Sequence, residues 1–174
     1  TVYNNRGNAL RGLGRFEAAA ADFTRALALR PSHVGALMGR GIVQGTLGRF
    51  KEAIADFDAV VRIGTQHEAA YYYRGVAQYR LGNYVKALED YSAAIRLNPN
   101  HSNAYVNRGG TYGTLGRFEE AVADLDQAIR LTPSDPQAYL NRALANEELG
   151  RLEDALSDYT HAIRLQPNDA AAYV

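Results

Sequence analysis

Apolar and small residues recur along this chain at steps of three and four, in two stretches per period, and the whole pattern returns every 34 residues. In the stretch 68–101 the first stripe is Ala70, Tyr71, Gly75, Gln78 and Leu81, with Arg74 its one charged member. That spacing predicts a helix ending before Gly82, where a left-handed cap needs a residue without a side chain. The second stripe is Ala87, Leu88, Tyr91, Ala94, Ile95 and Leu97. It predicts a helix from near Val85 that Pro99 stops. A tight turn between the two makes each unit an antiparallel pair of helices, of about three to four turns each.

The same unit occurs five times without insertion or deletion, at 1–33, 34–67, 68–101, 102–135 and 136–169, and 170–174 opens a sixth. Leu13-Gly14, Leu47-Gly48, Leu81-Gly82, Leu115-Gly116 and Leu149-Gly150 mark the register. Alanines (Ala19, Ala53, Ala87, Ala121, Ala155) and aspartates (Asp22, Asp56, Asp90, Asp124, Asp158) keep the same step. Self-similarity at such a period predicts an all-α stack of like units whose surface binds, not a globule with one active-site cleft. The chain has no initiator Met and starts one residue into a repeat, so it reads as a segment of a longer polypeptide.

Small residues explain how close the helices come. Gly7, Gly41, Gly75, Gly109 and Ala143 fall mid-helix, where glycine costs about 1 kcal/mol relative to alanine. Four repetitions of that cost predict a neighbouring helix lying against the backbone. Phe23, Phe57, Tyr91, Leu125 and Tyr159 are the large residues expected to fill the adjacent gaps, with Tyr3, Leu37, Tyr71, Tyr105 and Tyr139 near each first helix's start.

In this order of residues the chain resembles the tetratricopeptide repeat family, whose 34-residue pattern runs Trp, Leu-Gly, Tyr, then Ala, Phe and Pro. Tyr71, Gly75, Ala87, Tyr91 and Pro99 occupy the matching places in the third unit, and the other units agree. The resemblance implies a right-handed α-solenoid whose first helices line a concave groove for peptides or partner helices. It therefore implies a noncatalytic protein-interaction scaffold.

Two departures from the family pattern matter. The leucine before the mid-helix glycine is replaced by Arg6, Arg40, Arg74, Arg108 and Arg142. A charge on a buried stripe needs a partner. Hairpin geometry puts Arg74 and Asp90 at nearly one height, so each Arg is expected to pair with the Asp of its own unit or of an adjoining one. The alternative is a row of arginines that binds anions. The second departure is Ile63-Gly64-Thr65-Gln66, which lacks the terminal proline and leaves Gly64 to cap its helix.

The resemblance also fixes which positions would meet a ligand. They include Asn5, Met38, Gly39, Ile42, Gly45, Tyr72, Tyr73, Tyr79, Arg80, Val106, Asn107, Gly110, Gly113 and Asn141. These residues vary from unit to unit where the packing residues do not. Tyrosines and arginine at the centre are the residue types enriched at binding hot spots. Glycines 39, 45, 110 and 113 are expected to leave room, and Asn5, Asn107 and Asn141 to bond a peptide backbone. The alternative is that the tyrosines only cover the inner helices. The clamp by which one subclass holds chaperone tails is absent in this register, because Ala69 and Tyr73 take its two basic places.

Composition narrows the partners further. Lys plus Arg (19) equals Asp plus Glu (19), so the basic stripe that phosphate-backbone binding requires is missing and nucleic acid is not expected. No apolar run nears the roughly 18 residues that span a bilayer, and Thr1–Leu10 is polar and in register, so neither membrane insertion nor a signal peptide is expected. A soluble, cytoplasmic protein is the expectation. Without cysteine there is no thiolate metal site. His33, His67 and His101 stand one repeat apart, about 10 Å by helix-packing distance, too far to share a metal. Phosphate loops, nucleophile elbows and His-Glu-x-x-His are missing, and Glu119-Glu120 and Glu147-Glu148 splay around their helices. No cofactor and no catalysis are expected. Two other functions remain: end-to-end self-association through incompletely capped terminal repeats, and a substrate-recruiting arm for an enzyme encoded elsewhere in the polypeptide.

Overall fold

A computed structural model describes residues 1–64 and 66–166. Among them are ten helices and no strand: α1 (Val2–Gly12), α2 (Phe16–Leu29), α3 (Val34–Thr46), α4 (Phe50–Arg62), α5 (Glu68–Arg80), α6 (Tyr84–Leu97), α7 (Ser102–Thr114), α8 (Phe118–Leu131), α9 (Pro136–Glu148) and α10 (Leu152–Leu165). The opening of a sixth unit at 170–174, with Tyr173, and the residue Thr65 lie outside the described residues.

Every hairpin turn has the same construction. Gly14, Gly48, Gly82, Gly116 and Gly150 have φ between +71° and +77°, the left-handed region. In the third unit the Gly82 N–H donates to the Tyr79 carbonyl (2.9 Å) and the Asn83 N–H to the Gln78 carbonyl (2.9 Å), and the other four turns repeat this pair of bonds. Two carbonyls that the helix end would leave bare are thereby satisfied. The leucine before each glycine is the helix's C-cap and lies past its last turn. Leu81, expected on the apolar stripe, is instead exposed, as are Leu13 and Leu115. Gly64, at φ +81°, closes α4 where the proline is missing.

The helices form two compact bodies, Thr1–Leu97 with α1–α6, and a second from Asn98 with α7–α10. In the first, Ala19, Ala20, Phe23, Ala26, Leu27, Ala36, Leu37, Val43, Val60 and Ala70 make one core cluster, and Ala53, Phe57 and Ala77 a second. In the other body Val106, Ala121, Leu125, Ala128, Ala138 and Ala145 play that part. Val106, expected to face a ligand, is thus a core residue.

The mid-helix glycines admit the large residues of the second helices. A methyl group added at Gly7 would stand 2.9 Å from the Phe23 ring, at Gly41 2.7 Å from Phe57, at Gly75 2.8 Å from Tyr91 and at Gly109 2.8 Å from Leu125. All four of those side chains are buried. The last unit carries Ala143 instead, and its Tyr159 is only half buried, with its hydroxyl donating to Glu147 at 2.7 Å.

Candidate functional site

The five arginines of the first helices each hold an aspartate 16 residues downstream. Nε and Nη2 of each donate to the two carboxylate oxygens at 2.5–3.0 Å. This fork matches a carboxylate in shape as well as charge. All five aspartates, Asp22, Asp56, Asp90, Asp124 and Asp158, are buried.

A second partner was not foreseen from the sequence. Nη1 of Arg40 donates to Thr24 (3.2 Å), that of Arg74 to Asp58 (2.6 Å) and that of Arg142 to Asp126 (2.5 Å). Each of these acceptors belongs to the preceding second helix, so the arginine ties one hairpin to the one before it. The signal was available: positions 24, 58, 92, 126 and 160 read Thr, Asp, Ser, Asp, Thr at the same step of 34.

Two of these carboxyls are shifted in opposite senses, Asp22 by its guanidinium partners and Asp90 by burial. Hydrogen bonds from Arg6 hold Asp22 below the usual carboxylate range, and Arg25 adds to the effect against the cost of burial. Burial pushes Asp90 up despite the hydrogen bonds from Arg74, and the nearby Asp58 and Glu89 push the same way. Arg74 and Arg142 are raised by their aspartates well above the ordinary guanidinium value.

In the N-terminal body the positions expected to meet a ligand gather around Phe57. Tyr73 stacks on Phe57 (ring centroids 6.1 Å apart, planes at 20°), and Tyr72 meets Tyr73 edge-on at 5.2 Å and Tyr91 at 6.2 Å. Met38 and Ile42 pack half-buried against the same Phe57 cluster. The Arg80 guanidinium lies 5.0 Å over the ring of Phe50, a member of that cluster. Tyr79 turns instead to Tyr84 at 5.3 Å. Asn5 is exposed on α1 and accepts from Asn4.

Gly39 departs from expectation. A methyl group there would sit 2.4 Å from Phe23, so the space it was expected to leave for a ligand is already filled by that ring. Gly45 and Gly113 do front open space. In the second body Asn141 accepts from Gln137 at 2.7 Å, and its amide nitrogen lies over Gly110, which narrows that gap. Asn107, half-buried on α7, accepts at its carbonyl from Thr111.

The histidines serve the helices. His33 accepts from the Ala36 N–H at the start of α3, His67 and His101 are the N-cap residues of α5 and α7, and His161 stacks on Tyr139. Among the described residues no three His, Asp or Glu side chains are grouped to hold a metal ion, and no helix is long and apolar enough to cross a membrane.

Comparison with known proteins agrees with this architecture. Two models described as tetratricopeptide repeat match the chain, one over residues 4–68 and 106–170 and the other over 68–101. Among solved structures, MamA is 25% identical, with a TM-score of 0.86 over 95% of this chain and 96% of that one. YrrB, described as a tetratricopeptide repeat protein with an unusual peptide-binding site, is 27% identical, with a TM-score of 0.82 over 98% and 88%. A thermophilic repeat protein from Thermus thermophilus is 28% identical, with a TM-score of 0.75 over 98% and 93%. Among curated proteins no sequence match was found.

Proposed function

This chain belongs to the tetratricopeptide repeat family, a family of protein-interaction scaffolds, and from that premise we propose that it is a noncatalytic scaffold holding a short protein segment against its first helices. The centre of that surface is Tyr72, Tyr73 and Arg80, flanked by Met38, Ile42 and Tyr79. Asn5 supplies a hydrogen bond to a peptide backbone.

The stack of Tyr73 on Phe57 carries the reading. The ring is anchored underneath, yet Tyr73 stays 37% exposed. A rigid aromatic with a polar tip loses little conformational entropy on binding and suits a hot spot. Charge narrows the ligand. Among the ligand-facing positions named above on α1, α3 and α5, Arg80 is charged and none is a carboxylate. The segment that fits has an apolar or aromatic residue for the tyrosines and an acidic one for Arg80.

A displayed peptide library should select such segments from the wild type. Binding of the selected peptides should fall about tenfold or more on Tyr73→Ala and again on Arg80→Glu. Peptides that bind both variants as well as the wild type would remove this surface from consideration.

A further inference from the structure

We propose that the N-terminal body holds a second binding site, a cavity beside Tyr71 that takes a planar aromatic group bearing a carboxylate. The site uses neither Tyr73 nor Arg80 and is independent of the groove reading.

The other units show what this place lacks. Where a first helix carries a tyrosine near its start, the residue 22 positions later on the second helix of the same hairpin reads Arg25, Ala93, Gln127 or His161. His161 stacks on Tyr139, with ring centroids 5.3 Å apart and planes at 10°. The Arg25 guanidinium lies 5.9 Å from the centre of the Tyr3 ring. Gln127 instead serves its own helix, where Oε1 accepts from Nε and Nη2 of Arg130 at 3.1 and 2.6 Å. The third unit offers only the methyl group of Ala93. Tyr71 therefore receives no planar group from position 93. Arg96, which stands in the place of Arg130, forms no hydrogen bond or ion pair among the described residues.

What is missing is left as space. Tyr71, Ala93 and Arg96 line a cavity of about 230 Å³, with Val61 of α4 and Leu97 of α6 as its apolar members. Gly64 also lines it and brings no side chain, where positions 30, 98 and 132 carry Arg, Asn and Thr. The stretch that lacks the family's terminal proline thus also opens this side. A dry cavity of about 150 Å³ takes up benzene, so this one has room for a single ring and a short acidic arm. Tyr71 and Tyr139 are set alike: Arg74 lies 5.3 Å over the first ring and Arg142 5.8 Å over the second. A ligand ring on Tyr71 takes the part that the His161 imidazole plays on Tyr139. Its carboxylate takes the part of Gln127 Oε1 on the arginine, with charge added to the hydrogen bond.

The test is an amide NMR titration of this chain with phenylpropionate and with the peptide Gly-Gly-Phe, up to about 10 mM. The two probes carry the same ring and carboxylate, one as a small acid and the other as a chain end. At least one should bind with a Kd of about 1 mM or tighter and shift the amides around Tyr71, Ala93 and Arg96. The tighter of the two names the source. Ala93→His fills the cavity with a side chain that the fifth unit carries in the same place, and binding should fall about tenfold or more. Arg96→Gln, at an exposed position on α6, should weaken binding about tenfold or more with the fold intact. Phenylpropionamide, which has no charge, should bind the wild type correspondingly weakly. No shift with either probe, undiminished binding by either variant, or an amide that binds as tightly as the acid would each overturn the proposal. Peptide binding at Tyr73 should be unchanged in both variants, so the two readings fail separately.

Discussion

Substituting Gly39 by alanine probes the closest approach in the N-terminal body. The new methyl carbon would lie 2.4 Å from Phe23 Cζ, 2.6 Å from Cε1 and 3.0 Å from Cε2. Carbon atoms rest at about 3.5–4.0 Å, so the ring would have to retreat by about 1 Å. It has nowhere to go, because Phe23 is fully buried and its Cε1 edge already lies against Gly7. Overpacking of this kind costs about 1–3 kcal/mol, against which alanine recovers about 1 kcal/mol of helix propensity. The net expectation is a loss of about 1–2 kcal/mol, seen in urea unfolding and as faster amide exchange in α1–α3. Two controls fix the cause. Gly45→Ala lies on the same helix with open space around it and should be neutral or stabilise by up to about 1 kcal/mol. Phe23→Leu should be less damaging in the Gly39→Ala background than alone, a coupling that a double-mutant cycle measures. If Gly39→Ala behaves like Gly45→Ala, the ring is not wedged there and the packing argument fails.

The charged positions give further predictions. Arg74→Met leaves the buried Asp90 without its fork and should cost about 3–5 kcal/mol in urea unfolding at neutral pH. Asp90→Ala should cost less, about 1–3 kcal/mol, because Arg74 keeps Asp58; equal costs would contradict the two-carboxylate arrangement. Asp22, held low, contributes stability above the unfolded carboxyl value of about 3.9 and loses it as pH falls through its lower folded value. Asp90, held high, contributes most below about 3.9 and loses that contribution as pH rises through its folded value. Carboxyl carbon titrations by NMR should therefore place Asp22 below Asp90, and the reverse order would refute the reading that guanidinium bonds dominate at Asp22 and burial at Asp90. Tyr159, raised to about 12 by burial and by Glu147, contributes stability up to about pH 10 that is lost as pH rises toward its folded value. Tyr159→Phe should remove that loss, as read from alkaline unfolding with phenolate absorbance. Gly64→Ala forces a side chain to φ +81° and should destabilise by about 1–2 kcal/mol.

Helix pairs and turns were legible because each unit states them in the same residues: a stripe at steps of three and four, a glycine where φ must be positive, and a small residue where a ring comes close. Contacts between units were harder to read. The Arg74–Asp58 bond needs the height of one hairpin against the next, which periodicity within a unit does not supply. Gly39 shows why the ligand-facing positions resist reading. It shares its place in the repeat with Tyr73, Asn107 and Asn141, and so was expected to be open. What fills the place depends on the second helix before it. Gly39 lets the Phe23 ring reach the backbone, whereas Tyr73 cannot and stacks on Phe57. The two arrangements are alternative ways to cover one aromatic ring. Glycine gives that cover with the helix backbone and leaves nothing to offer. Tyrosine gives it with its own face, which leaves the other face and the hydroxyl for a partner. Tyr73 therefore serves packing and recognition with different parts of one side chain, and the substitution that separates them is Tyr73→Phe. It keeps the stack on Phe57, so stability should be unchanged, while any affinity that depends on the hydroxyl falls. Unequal stability of Tyr73→Phe and wild type would mean that the hydroxyl, and not the ring, holds α5 in place.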